Sequence, residues 1–187
     1  MLYTDQGRYQ EAELLYQRAL AIREQQLEPE DPLIATSLSN SALLYRSQKK
    51  YEEAESLYQR ALTIQERHFG PEHPEVARTI NGLAIVHTAQ GRYEEAKSLY
   101  QRALVIREQQ LGPEHPDTAR SLAGLARLYE KLGAYEPAES MLRQACTLFE
   151  ERLGKEHPET IKAKHDYNSL LECQSQNETG GSCLPKA

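Results

Sequence analysis

The chain has 187 residues, 22 basic against 28 acidic side chains for a formal charge of −6, and a mean hydropathy of −0.71. That balance lacks the basic stripe that phosphate-backbone binding needs, no apolar run approaches the roughly 18 residues of a membrane span, and no basic-then-apolar leader opens the chain. Three cysteines at unrelated spacings form neither a disulfide framework nor a zinc pattern, so the expectation is a cytoplasmic protein without nucleic-acid or membrane partners, and the 39% hydrophobic share suits a thin, elongated architecture.

A 42-residue period organises the sequence. Gln17-Arg18-Ala19-Leu20 returns as Gln59-Arg60-Ala61-Leu62 and Gln101-Arg102-Ala103-Leu104, and Tyr9, Tyr51, Tyr93 and Tyr135 keep the same step, as do Pro32, Pro74, Pro116 and Pro158. Tyrosines locked to a repeat phase read as packing residues. Each period carries two helical apolar stripes. From Pro74, Ile80, Leu83, Ala84 and Val86 share one face. After Gln90-Gly91-Arg92, a longer stripe runs through Ala96, Leu99, Tyr100, Ala103, Leu104, Ile106 and Leu111 to Gly112-Pro113-Glu114-His115-Pro116. Glycine suits the C′ position of the finished helix and proline N1 of the next.

In chain order the pattern predicts long B helices over 8–27, 51–69, 93–111 and 135–153, alternating with shorter A helices over 33–47, 75–89, 117–131 and 159–173. Nothing alternates with the two-residue period of a strand. The units are a partial repeat at 1–31, full repeats at 32–73, 74–115 and 116–157, a capping helix at 158–173 and a disordered tail at 174–187. Met1-Leu2-Tyr3 aligns with Leu43-Leu44-Tyr45. The first A helix is therefore a stub, and the chain reads as a fragment of a longer array or a truncated start. The fold class is all-α, an open right-handed solenoid of antiparallel helix pairs.

The packing code Leu38, Ala42, Tyr45, Tyr51, Ala54, Tyr58 and Ala61 resembles the tetratricopeptide repeat, with Ala42, Ala84 and Ala126 where the helices of a pair cross. Ser41 stands in place of the expected Leu, and His87 in place of Tyr. The 42-residue period exceeds the usual length of about 34. With the Leu-Gly-Pro-Glu-His-Pro box and the Tyr-Glu-Glu-Ala-Glu run it is similar to the kinesin-light-chain subtype over about residues 1–172. The resemblance implies a superhelix whose concave groove, lined by A helices, binds a peptide or protein segment. Of the paired Asn common in light-chain relatives, Asn40 and Asn81 remain, while Gly82 and Gly124 replace the second Asn and Ala123 the first.

Next to the core stripe, the A helices carry Arg46, Arg78, Asn81, Arg120, Arg127, Lys131 and Lys162. Arginine grips carboxylates bidentately, so these are the candidate partner-binding residues for an acidic or C-terminal segment. His73, His115 and His157 cap loops in this reading, because zinc needs ligands at about 2.0–2.3 Å and equivalent residues of successive repeats lie too far apart. Cys146 sits at a leucine phase as a small buried hydrophobe, and Cys183 is too far from the end for prenylation. No catalytic constellation, cofactor motif or metal set emerges, so a non-enzymatic interaction module is expected. The alternative is a self-associating structural or sensor region of a larger signalling protein. It draws on Leu14, Leu15 and Ala12 of the first B helix, whose partner is incomplete and which offer a homodimer surface.

Overall fold

A computed structural model describes residues 9–178. Among them are eight helices and no strand: α1 (Tyr9–Gln26), α2 (Pro32–Ser47), α3 (Tyr51–Phe69), α4 (Pro74–Ala89), α5 (Tyr93–Leu111), α6 (Pro116–Lys131), α7 (Tyr135–Leu153) and α8 (Pro158–Glu178). The even-numbered helices are the A helices. All bounds fall within one residue of the sequence expectation except the last, where α8 runs to Glu178 rather than 173. The tail assigned from 174 therefore begins inside the helix: Gln174 to Glu178 contain no proline or glycine to stop it. The N-terminal stub, the rest of the tail and Cys183 lie outside the described residues.

The chain divides into two compact units, Met1–Leu99 and Tyr100–Ala187, with the boundary inside α5. In the first, α1 packs on α2, α2 on α3 and α3 on α4; in the second, α6 packs on α7 and α7 on α8. Short connections make these neighbours antiparallel.

Every A helix starts the same way. The residue before its N1 proline accepts a hydrogen bond from the backbone two residues on: Asp31 Oδ1 from Leu33 N at 2.8 Å, His73 Nδ1 from Glu75 N at 3.2 Å, His115 Nδ1 from Asp117 N at 3.0 Å and His157 Nδ1 from Glu159 N at 3.2 Å. These bonds satisfy amides that the first helical turn leaves open, which is the capping role expected of the histidines. The turns from A to B close as Schellman motifs, Lys50 N, Arg92 N and Ala134 N each bonding to a carbonyl five residues back at 2.9 Å. Such a motif needs a left-handed residue at C′. Gly91 (φ 80°) and Gly133 (φ 73°) supply it, but the first turn uses Lys49 at φ 62°.

The cores follow the small–large code. In the first unit Ile34, Ala35, Leu38, Ala61 and Ile64 form one cluster, and Ala42, Ala54, Tyr58, Leu83 and Val86 another. In the second unit Ala119, Leu122, Ala126, Ala138, Leu142, Phe149 and Leu170 pack together, with Cys146 among them. Burial pushes the Cys146 thiol above its ordinary range. Ala42, Ala84 and Ala126 are wholly buried. Ser41, the exception in the leucine phase, is buried with its hydroxyl unpartnered.

Candidate partner-binding face

In the first unit the face is built around Tyr58, which points from α3 between α2 and α4. Its ring lies against Gly82 so closely that a Cβ there would sit 2.6 Å from Cζ. The aromatic ring thus occupies the space that the missing second Asn would need. The same arrangement recurs in the second unit, where a Cβ on Gly124 would come 2.5 Å from Cε1 of Tyr100. Burial raises the Tyr58 phenol above its usual range, against the opposing positive charges of Arg46 and Arg78. Both guanidiniums therefore lie within electrostatic reach of that phenol. Arg46, in the last turn of α2, has no ion-pair partner among the described residues. Among the described residues Arg78 pairs with Glu75 alone, one turn away on α4, at 2.5 Å, an exposed pair of small net value. Asn81, next on α4, keeps its Oδ1 buried and unpartnered.

The second unit treats its arginines differently. Arg120 of α6 is held side-on by Glu159 of α8, Nε to Oε1 and Nη2 to Oε2 both at 2.5 Å, while Nη1 bonds to Asp117. The hydrogen bonds it donates to Glu159 raise its already high pKa further. Arg127 Nη1 meets Asp166 Oδ2 of α8 at 3.4 Å. Nearby, burial and then the charge of Asp166 raise the Glu130 carboxyl above its ordinary range. Lys131 and Lys162 are exposed. Ser39, seven residues before Arg46 on α2, and Ala123, between Arg120 and Arg127 on α6, are buried. Ser39 bonds to Thr79 Oγ1 at 3.3 Å, which donates to Gln65 Oε1 at 2.6 Å.

That last bond belongs to a series the sequence reading overlooked. Arg23 donates to Ser37 Oγ at 2.6 Å and Leu33 O at 2.9 Å, and Arg107, itself buried, donates to Ser121 Oγ and Asp117 O at 2.8 Å. Arg23, Gln65 and Arg107 share one phase of the period, and Ser37, Thr79 and Ser121 another. The phase was legible, but spacing along one helix does not show which side chain of the next helix each residue meets. A second series satisfies the A-to-B turns. Glu13 accepts from Tyr45 Oη at 3.1 Å and Gln48 at 3.2 Å; Glu55 accepts from Arg92 at 2.7 Å and Gln90 at 3.1 Å, and meets His87 Nε2 at 3.2 Å. His87, in place of Tyr, is thus buried beside a carboxylate.

A face of A helices carrying arginines, in an array of helix pairs, defines a helical-repeat scaffold. The tetratricopeptide-repeat family model matches residues 1–67, 33–104 and 75–151, and the chain belongs to that family, whose members are protein–protein interaction modules of a non-catalytic scaffold class. It is similar to the crystal structure of a kinesin light chain of Podosopora anserina with nearly identical TPR-like repeats, at TM-score 0.73 and 28% identity over 95% of this chain and 84% of that one. BtubC (BKLC) of P. vanneervenii gives TM-score 0.72 at 24% identity over 100% of this chain and 80% of that one. The Sgt2 TPR domain of Aspergillus fumigatus gives 0.56 at 16% identity over 82% and 87% respectively. The subtype is therefore kinesin-light-chain-like. No curated protein sequence matches the chain. Among the described residues no helix is long and apolar enough to cross a membrane.

Proposed function

We propose that the chain is a non-enzymatic, cytoplasmic recognition module that takes an acidic or C-terminal segment of a protein partner on its A-helix face, with the first unit as the grip. The observation that carries this reading is the pair Arg46 and Arg78, both within electrostatic reach of the Tyr58 phenol, with Glu75 as their one ion-pair partner among the described residues. Two guanidiniums and Asn81 offer donors for a carboxylate and an amide for the peptide backbone. The test is fluorescence anisotropy with a labelled hexaglutamate peptide bearing a free C-terminus, at about 0.15 M salt, where exposed charges beyond roughly 8 Å are screened. R46Q/R78Q should weaken binding about tenfold or more, the loss of roughly one charge-assisted bond. R18Q/R143Q, an equal change on exposed B-helix positions, should leave it within about twofold by the same arithmetic. Equal losses in both variants would defeat the reading.

Self-association is the second reading, favoured by the outer face of α1. Leu14, Leu15 and Ile22 are 68%, 54% and 43% exposed, whereas Ile64 and Ile106, in the phase of Ile22, are 6% and 3% exposed. Sedimentation equilibrium decides it: L14S/I22Q should abolish any dimer of the full chain, and a monomeric parent chain removes the reading.

A further inference from the structure

We propose that Glu159 and Asp166 of α8 act as an internal acidic ligand for Arg120 and Arg127 of α6, so that the second unit is self-occupied and admits an external acidic segment only when those carboxylates are displaced. The inference rests on the reading above, that A-helix arginines grip carboxylates, and it supplies the regulation of that face. It is carried first by register. Arg120 and Arg127 are seven residues apart on α6, and Glu159 and Asp166 are seven apart on α8. Seven residues is nearly two helical turns, so each pair forms one short stripe, and the two stripes meet residue for residue.

Geometry carries it further. Glu159 approaches Arg120 through Nε and Nη2, both at 2.5 Å, the bidentate mode a ligand carboxylate would use. Asp117 takes Nη1, so all three guanidinium nitrogens are engaged and no edge remains for a second carboxylate. Around Arg127 stand Asp166 and Glu130. An incoming acidic segment therefore meets four carboxylates around two arginines. Arg46 and Arg78 present the opposite ratio, two arginines to one carboxylate. The internal ligand is displaceable because it is not sealed: the side chains of Arg120 and Arg127 are 41% and 37% exposed, and ion pairs at that exposure are weak in net terms.

The test uses the full chain and the labelled hexaglutamate peptide. On the R46Q/R78Q background, where the first unit is disabled, E159Q/D166N should restore binding by about fivefold or more, and adding R120Q/R127Q should cancel the gain. E53Q/E94Q, the same two-charge change on exposed B-helix positions, should restore none. A gain equal in both double variants, or no gain from E159Q/D166N while the parent chain binds, overturns the internal ligand and leaves the grip of the first unit standing. If the parent chain fails to bind but E159Q/D166N binds, the masking holds and the grip fails. If neither binds, both fall. Thermal melting followed by circular dichroism checks that α8 stays folded. Should E159Q/D166N lose helicity, E159Q alone, which keeps the size of the side chain, must show the gain on the R46Q/R78Q background or the proposal is refuted.

Discussion

Replacing Gly82 with alanine sets two opposed effects against each other. Alanine favours a helix over glycine by about 0.8–1.0 kcal/mol, so at an open helix position the change stabilises. Here the new methyl would lie 2.6 Å from Tyr58 Cζ, 2.8 Å from Cε1 and 2.9 Å from the hydroxyl. Those distances are about an ångström inside the carbon–carbon optimum. Tyr58 is itself buried in the cluster of Ala42, Ala54, Leu83 and Val86, so its ring can yield only by disturbing them. Overpacking of this kind costs about 1–3 kcal/mol, which leaves a net loss of about 1 kcal/mol. Urea unfolding of the parent chain, G82A, Y58A and G82A/Y58A gives the assay. G82A should destabilise the parent chain and stabilise Y58A, a coupling of about 2 kcal/mol, within the range for residues in contact. G124A with Y100A is an independent copy of the experiment, its methyl meeting Cε1 at 2.5 Å. If G82A stabilised the parent chain and the two substitutions were additive, the account of the ring filling the face would be refuted.

Lys49 sits at φ 62° where the other two turns carry glycine, so K49G should raise stability by about 1 kcal/mol, the left-handed penalty of a side-chain-bearing residue; an unchanged melting temperature would contradict it. Ser41→Leu, restoring the residue of Leu83 and Leu125 and removing an unpartnered buried hydroxyl, should add about 1–2 kcal/mol in urea unfolding, and a loss would show that the neighbours have closed over the space. Burial alone would raise Glu55, but hydrogen bonds from Arg92 and Gln90 more than offset it and hold the group below its ordinary range. Its stabilisation is thus present above the unfolded value of about 4.3 and is lost as pH falls through the lower folded value, so E55Q should flatten the acid limb of the stability–pH curve. Glu130 is raised instead: its ionisation penalty is complete above the folded value and absent below the unfolded one, so E130Q should be more stable than the parent at pH 7, with the gap closing in acid.

The helices were readable because both their stripes and their ends recur. Pro32, Pro74, Pro116 and Pro158 mark each A-helix start, and the preceding Asp31, His73, His115 and His157 mark the caps. The candidate face was less readable because its charge state depends on which residues of the next A helix lie alongside. Arg78 and Arg120 hold the same phase, but among the described residues Arg120 finds Glu159 and Asp117 while Arg78 finds Glu75 alone. Ser39 lies seven residues from Arg46, and Ala123 between Arg120 and Arg127, yet both are buried. Tyr58 was legible as a packing residue, and only its closeness to Gly82 reveals why asparagine is missing from that phase.

The polar pairs between a B helix and the A helix after it also say where such an array can be cut and spliced. Arg23 goes with Ser37, Gln65 with Thr79 and Arg107 with Ser121, whereas Phe149 and Ala163 fill the same two phases with apolar groups. Duplication or recombination at the helix boundary before a B helix moves both members together. A crossover between a B helix and the following A helix would set Arg107 against alanine, or Phe149 against serine, and strand a buried polar group at a cost of about 1–3 kcal/mol. The exchangeable segment for shuffling or consensus design is therefore the helix pair that begins at Tyr51, Tyr93 or Tyr135, half a period out of step with the pair that begins at each proline.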